Sequence, residues 1–413
     1  MTPHTLGAMF VKPSWTVVDL FSGGGGASYG FHAAEGFELL AAADFEVAKP
    51  STGMGKLECN DTYEANIGVR PLHVDLGVIQ PPELRDRLGL SDSPTVLVAC
   101  PPCTGFSRTN ASNHLRDDPR NSLVGRVGLF VDEFKPSVLV LENARELLMG
   151  RYRHHYLGLR QHLEAQGYEV HASLHYLSQF GLPQLRERAL VVAALKPLKV
   201  RSLEDLWEGY AVDPKATHVR RAIWDLPSIE AGEAHPDDDM HVAPRMGRLN
   251  TERLAAIPHD GGSWRDLVDL PDADKLLTDG MKRQVAKRDF GSFPDVYGRL
   301  AWDKPAATIK RECSHVGNGR YSHPDQDRLC SVREMAILQG FPRDYRFDAG
   351  LGNMYRHIGD AVPPLISYQL SRLAEWILTG KRPDIESVIL PGTHLSPGDI
   401  VSAAEASSLP SLF

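Results

Sequence analysis

From Trp15 to about Ala194 the chain alternates short β-branched and apolar runs with helix-length segments, and this alternation constrains its fold more than any other feature. Parallel strands cannot be joined by tight turns, so each crossover takes a helix, and the repeated pattern predicts an α/β fold built on a mostly parallel sheet. Strands are expected near Thr16 to Leu20, Glu38 to Ala43, Leu72 to Asp75, Thr95 to Ala99, Ser137 to Leu141, Glu169 to Leu174 and Arg188 to Ala194. Such sheets bind ligands in the crevice beyond the carboxyl ends of their strands, so candidate functional residues are sought there.

The fourth of these strands ends in Cys100-Pro101-Pro102-Cys103. Pro101 cannot donate to a β-ladder, so the strand stops and the Cys103 thiol stands just past its end behind two rigid prolines. That is the placement of a nucleophile; the plain alternative for any cysteine is a small buried core residue. Cys100 and Cys103 also spell C-x-x-C, the signature of a thiol oxidoreductase. In that chemistry the first cysteine heads a helix, whereas here Cys100 closes a strand and two prolines intervene.

Other strand ends carry matching signals. The first runs into DLFSGGGGASYGF, where Gly23 to Gly26 permit a tight turn and close approach of backbone to a ligand, or simply a structural turn. No register gives G-x-G-x-x-G, since Gly24 and Gly26 would need a glycine at Tyr29, and the Gly-Lys-Ser/Thr ending of a P-loop is absent; nicotinamide and flavin enzymes are disfavoured. Asp44 in AAADF and Asp75 in HVDL close two further strands. A carboxylate at the second strand end suits ribose hydroxyls, Phe45 offers a face to a purine, and Asp75 can accept from an adenine amino group. Each acid alone reads as a cap or loop residue, but on one edge they imply an adenosine-bearing ligand. ENARE puts Glu142 and Asn143 at the end of the fifth strand, where a partly buried Glu tends toward a raised pKa and serves as a proton donor, or else caps the next helix. In FGLPQLRERALVVA, Arg186 and Arg188 are two apart and should point the same way, toward an anion or carbonyl oxygen, or into a structural ion pair.

With 413 residues the chain fits two domains, or one with a large insertion. Its five cysteines lack paired metal-ligand spacing, so no metal is expected and a reducing cytoplasm is the simplest setting. The opening MTPHTLGAMFVKPS lacks a basic region followed by an apolar core, and no run approaches eighteen apolar residues, so neither secretion nor membrane insertion is expected. The net charge of -8 argues against a surface coated in nucleic-acid contacts, yet Lys282, Arg283, Lys287, Arg288, Arg299, Lys304, Lys310 and Arg311 fall within residues 281 to 311 against only Asp289, Asp295 and Asp303. That stretch either faces phosphates or is a solvated basic face.

Taken in order, DLFSGGGG, PPC, ENA, QLRER, VYGRLAWDKPAATI and IGDAVPP resemble the ordered motifs of the cytosine-5 DNA methyltransferase family of bacterial restriction-modification type, over roughly Val17 to Leu370. The resemblance implies a Rossmann-like S-adenosylmethionine-dependent methyltransferase sheet with a smaller target-recognition domain. The expected divisions are 15–200 for catalysis and cofactor binding, 201–298 for target recognition, 299–385 for the late motifs with the final helix returning to the catalytic domain, and 393–413 for a loose tail. It implies that Cys103 adds to a cytosine ring held by Glu142 and Arg188, with Arg186 holding the Cys103 loop or a phosphate. It further implies that Phe21, Ser22, Gly23, Gly24, Gly25, Gly26, Asp44, Phe45, Asp75, Leu76, Pro102 and the backbone of Ala361 and Val362 hold S-adenosylmethionine. Ser107, Arg108 and Asn110 in the loop after Cys103, and Lys282, Arg283, Lys287 and Arg288 beyond the insert, are the candidate DNA contacts. The expected activity is methylation of C5 in a flipped-out cytosine of a short double-stranded DNA site, by a monomer protecting host DNA from a partner restriction endonuclease. A tRNA cytosine-5 methyltransferase and a catalytically silent DNA-binding relative are the rivals. Two positions depart from the family's pattern. Asp360 stands where Asn usually follows Gly359, and an ionised Asp there would repel the cofactor's carboxylate; Ala144 replaces a more usual Val.

Overall fold

A computed structural model describes residues 15–49, 54–103, 105, 117–287 and 295–406. All seven expected strands are present: β1 (Trp15–Leu20), β2 (Phe37–Asp44), β3 (Leu72–His73), β4 (Val96–Ala99), β5 (Val138–Ala144), β6 (Tyr168–Tyr176) and β7 (Glu187–Leu195). They form one sheet in the order β3-β2-β1-β4-β5-β7-β6, in which β7 alone runs antiparallel to its neighbours. Alternate residues feed opposite layers, as the two-residue period of a strand requires. Val96, Val98, Val138, Val140, Leu190 and Val192 enter one core, and Leu97, Ala99, Leu139, Leu141, Ala189 and Val191 the other. Both faces are covered, which is why these strands read as nearly unbroken apolar runs.

The first layer is closed by α1 (Gly26–His32), and the second by α3 (Leu123–Phe134) and α4 (His154–Ala165), while α2 (Cys59–Ile67) flanks α1. In the C-terminal half come α5 (Asp279–Lys287), α6 (Val332–Leu338), α7 (Leu351–Asp360) and α8 (Pro364–Thr379). α8 lies on α1 in the sheet domain, burying Leu365, Ile366, Leu370 and Leu373. Each such side chain contributes roughly 1.5–3 kcal/mol on leaving water. Ser367 Oγ locks the pair, taking the Gly30 N–H at 3.2 Å and donating to Gly26 O at 2.9 Å.

The expected divisions at 200 and 298 do not coincide with the cores. Leu203, Leu206, Trp207, Val212 and Ala216 belong to the sheet domain, whereas a second core runs from Val219 through Trp264, Tyr321 and Phe341 to Ile358. Residues 219–298 are rich in Gly, Pro and charge, and those described, 219–287 and 295–298, share apolar partners with the segment that follows. Arg299 is wholly buried and gathers the carbonyls of Leu254, Ile257, His323 and Gln326 with the Asp327 carboxylate. Arg328 and Glu334 form a buried two-point pair at 2.7 and 2.8 Å, which with Ser331 holds the Glu334 carboxyl down to about 2 against the cost of burial. Nor is the segment from 393 loose as far as it is described. Leu395 packs on Gly181, and Ile400–Ser402 pairs antiparallel with Tyr210–Val212, completing a strand that would otherwise expose its edge.

The two cores meet partly through His357. Its Nε2–H donates to Leu57 O at 2.8 Å and its Nδ1 accepts from the Thr62 hydroxyl at 3.1 Å, which fixes a neutral tautomer. Burial brings its pKa from 6.5 down to about 4. A depressed histidine contributes stability that is present above 6.5 and lost as pH falls through 4, about 3 kcal/mol over that window. Urea unfolding of the parent should therefore weaken between pH 6.5 and 4, and His357→Gln should lose that share of the pH dependence. An unchanged pH profile in the variant would assign it elsewhere.

Candidate active site

One edge of the sheet collects the residues of interest, and strand register explains why. Leu20 pairs with Ala43 and Ala99, and Val98 with Val140, so Phe21, Asp44, Cys100 and Glu142 fall in the next row. Because β7 is antiparallel, its first residues lie at this same edge, with Arg188 opposite Ala144. β5, expected to end at Leu141, runs on through Ala144, so Glu142 and Asn143 are strand residues and Glu142 does not cap the next helix. β7 extends beside them and keeps them in the ladder.

Cys103 is half-buried at the end of a segment pinned by Asn143, whose Nδ2 donates to Pro101 O at 2.9 Å. Gly105 lies against Asn121 and Asp118, so closely that a Cβ there would stand 2.3 Å from Asn121 Oδ1. Glu142 is buried, and Arg188 Nε lies 2.8 Å from its Oε1 as an ion pair but off the line of a hydrogen bond. Two buried polar atoms thus meet without a hydrogen bond, a situation native proteins keep mainly where something else binds. Cys100 differs from Cys103: it accepts from Glu142 N–H at 3.4 Å, and burial beside Glu142 and Asp19 pushes its thiol far up. A thiol so reluctant to ionise is a poor partner for exchange chemistry, which weakens the oxidoreductase alternative.

Arg186 and Arg188 lie close enough to repel, yet they have different partners. Arg186 is buried and donates to Ile309 O at 3.0 Å, Ala361 O at 3.2 Å and Gly359 O at 3.4 Å. It is therefore not available to a phosphate, one of the two roles expected of it. Burial and Arg188 weaken its hold on the proton, but a guanidinium still carries its charge at neutral pH. Gln184 works beside it, donating to Leu338 O and Gln339 Oε1 and accepting from Ile309 N–H.

The glycine turn forms the other side of the site. Phe21, Gly23 and Gly25 all have positive φ; a Cβ at Gly25 would also stand 2.9 Å from the Tyr345 hydroxyl. Tyr345 donates to Gly24 O from the second core. Asp44 accepts from Gly23 N–H at 2.9 Å and Glu46 N–H at 2.6 Å, which leaves lone pairs for further donors. Phe45 is 45% exposed and stacks on His73, Leu76 is buried, and Asp75 accepts from Gly77 N–H at 2.8 Å. The carbonyl of Ala361 is taken by Arg186 and Gln339, and that of Val362 abuts Gly26, so both position the turn. Pro102 is exposed beside Cys103. The residues fit an S-adenosyl group on two observations. Among the described residues Ser22 Oγ is buried in the turn without a partner, and the space above Gly23 is open, with nothing within 4 Å of where a Cβ would stand. Tyr63 and Ser28 support the turn beneath: Ser28 Oγ donates to Asp19 at 2.6 Å, and burial lifts the Asp19 carboxyl to about 7.

Of the candidate DNA contacts, Ser107, Arg108, Asn110 and Arg288 lie outside the described residues. Arg283 and Lys287 are exposed on α5, and Lys282 faces Asp274 at 3.6 Å. The basic stretch as a whole is not one face, since Arg299 is interior and Arg311 binds backbone carbonyls elsewhere. The sequence did not single out Arg120, and it placed Arg311 only within the basic stretch. Arg120, paired with Asp118, lies near enough to Cys103 to feel its charge, and Arg311 reaches across to residues 47 and 48. Nothing local links either arginine to residues so distant in the chain. Among the described residues no helix is long and apolar enough to cross a membrane.

Comparison with known proteins gives this arrangement its context. The profile of the C-5 cytosine-specific DNA methylase family matches residues 15–374. The chain is 31% identical over 370 residues to the type II methylase M.HgiDII of Herpetosiphon aurantiacus, covering 88% of this chain and 96% of that one. It is 28% identical to the type II methyltransferase M1.BsuMI of Bacillus subtilis, covering 87% and 80%. In structure it resembles a putative DNA modification methyltransferase encoded within an E. coli prophage, with a TM-score of 0.59 at 21% identity over 89% of this chain and all of the other. The match runs over nearly the whole chain that builds this sheet edge: the chain belongs to the C-5 cytosine-specific DNA methylase family, whose members are S-adenosylmethionine-dependent DNA (cytosine-5-)-methyltransferases.

Proposed function

We propose that this chain methylates C5 of a cytosine flipped out of duplex DNA at one short site, with Cys103 as nucleophile. The observation that carries the reading is the meeting of Cys103, Glu142 and Arg188 at one edge, with Glu142 buried, Arg188 partly so, and Arg188 Nε beside Glu142 Oε1 without a hydrogen bond between them. Cytosine C5 is a weak nucleophile. Addition of the Cys103 thiolate forms an S–C6 bond and moves the ring's electrons toward C5, while negative charge gathers at N3 and O2. Glu142, in its protonated form, donates to N3, and Arg188 donates to O2. S-adenosylmethionine supplies the methyl group that C5 gains. The C5 proton then passes to solvent water, which restores the C5–C6 double bond and expels the Cys103 thiolate, leaving 5-methylcytosine and S-adenosylhomocysteine.

Phe21 to Gly26, Asp44, Phe45, Asp75 and Leu76 would hold the cofactor, and residues 219–298 together with what they pack on would read the DNA. Flipping costs a few kcal/mol, which contacts to the backbone and neighbouring bases must offset. Ser107, Arg108, Asn110, Arg283 and Lys287 are the candidates for those contacts. The type II names of the bacterial relatives favour a role in a restriction system, in which this chain would protect host DNA from a partner endonuclease, acting as a monomer on a single flipped base.

The test is to incubate the purified chain with S-adenosylmethionine and unmethylated genomic DNA and map 5-methylcytosine at single-base resolution, with tRNA in parallel. Methylation confined to one short DNA motif is the expected result. Methylation of tRNA alone would replace this reading with the RNA enzyme, and tight DNA binding without transfer would replace it with a silent binder.

A further inference from the structure

Asp360 occupies the position where the related motif carries Asn, and an unbalanced carboxylate there would oppose the carboxylate of the cofactor. The fold does not leave it unbalanced. Arg311 Nη1 donates to Asp360, and Nη2 donates to Ala48 O at 2.7 Å and Val47 O at 3.2 Å. Val47–Lys49 pairs with Met54–Lys56 and directly follows Asp44, Phe45 and Glu46, on one wall of the cofactor site. Asp360 ends α7 and precedes Ala361 and Val362, on the opposite wall. One guanidinium therefore bridges the two walls.

Backbone contact fixes the bridge from below. A Cβ on Gly359 would stand 2.3 Å from Lys310 O and 2.5 Å from Arg311 N, so the Lys310–Arg311 backbone lies flat against the end of α7. The Arg311 side chain is 16% exposed and that of Asp360 33%, so the pair is partly shielded from solvent. Asp44 lies near enough to act on Arg311 electrostatically. Without Arg311, Asp44 and Asp360 would put two uncompensated negative charges beside the site, and the one at Asp360 would oppose the carboxylate at the amino-acid end of the ligand.

We infer that Arg311 is a cofactor-positioning residue that cancels the charge of Asp360 and ties the 47–49 strand to the end of α7 across the cofactor site. The inference rests on the cofactor-binding role assigned to that edge. It also accounts for the Asp: a charge-matched pair replaces the neutral amide.

The test is calorimetric titration of S-adenosylhomocysteine into four proteins: the parent, Arg311→Met, Asp360→Asn and the double variant. Arg311→Met should weaken binding by about tenfold, because it leaves like charges facing the ligand. Adding Asp360→Asn to that background should recover at least about fivefold, because it removes the uncompensated carboxylate. Added salt should narrow the gap between Arg311→Met and the parent by screening the exposed charge. Binding of Arg311→Met within twofold of the parent would overturn the inference. A double variant no better than Arg311→Met would also overturn it, since Arg311 would then matter only for its bonds to carbonyls. If Arg311→Met does not fold, Arg311→Gln makes the same comparison, because it keeps a polar side chain of similar reach but removes the charge that Asp360 is paired with. Failure of the parent itself to bind would implicate the cofactor site as a whole and not the pair.

Discussion

Cys103→Ser should lower methyl transfer by at least about 10³-fold while leaving DNA and S-adenosylhomocysteine binding intact. A serine hydroxyl is almost wholly protonated at neutral pH, so the species that adds to C6 all but disappears; a 10³-fold loss corresponds to about 4 kcal/mol in the barrier. The segment itself should hold its place, because the bonds that seat it come from Asn143 to Pro101 O and from the close fit of Gly105 on Asn121, and not from the thiol. Cys100→Ala is the informative partner. Its sulfur only accepts from Glu142 N–H, so its loss should act through a small shift of Glu142 and cost about tenfold at most. If the two cysteines worked as a redox pair, the two substitutions would be equally damaging. DNA carrying 5-fluorocytosine gives a second readout, because fluorine cannot leave as a proton does and the S–C6 adduct should persist through denaturing electrophoresis with the parent and be missing with Cys103→Ser. A serine variant that keeps a tenth of the activity would rule out the proposed nucleophile.

The residues on the sheet edge were legible in the sequence because each strand announces its own end. An apolar run stops at Asp44, at Pro101 and at Glu142 for local reasons, although β5 itself continues to Ala144, and the parallel crossover rule then brings those ends together without further information. The second core was not legible in the same way. Trp264, Tyr321 and Phe341 are far apart in sequence and carry no common period, so the join between the insert and the late motifs is written only in three-dimensional contacts. That is why a boundary at 298 looked natural and fell inside a core. The docked segment after Thr393 was missed for a related reason, since Ile400–Ser402 is three residues long and gains its meaning from the edge it completes at Tyr210–Val212. Arg311 and Asp360 show the limit most clearly: the sequence exposes the odd charge at 360 but not the cation that answers it.

Arg186→Met should be the more destabilising and Arg188→Met the more damaging to turnover, although the two arginines are separated by a single residue. The reason is where β7 begins. Arg186 precedes it and reaches into the second core, and its replacement leaves the carbonyls of Ile309 and Gly359 without this donor, while that of Ala361 keeps only Gln339. Buried acceptors left unsatisfied cost about 1–3 kcal/mol each, so with partial relaxation a loss of about 3–5 kcal/mol in unfolding free energy is expected. Arg186→Lys should recover little of it, because one ammonium cannot reach three carbonyls held in the spread of a guanidinium. Arg188 lies inside the ladder opposite Ala144 and meets only Glu142 and the Glu187 carbonyl among the described residues, so its loss removes less of the fold. Its guanidinium is instead the donor proposed for O2 of the ring, and removing such a donor typically costs about 10²–10³ in kcat. Denaturant unfolding and single-turnover methylation of both variants separate the roles. The opposite ranking, with Arg188→Met unfolding first and Arg186→Met turning over more slowly at full stability, would exchange the structural and catalytic assignments of the two arginines.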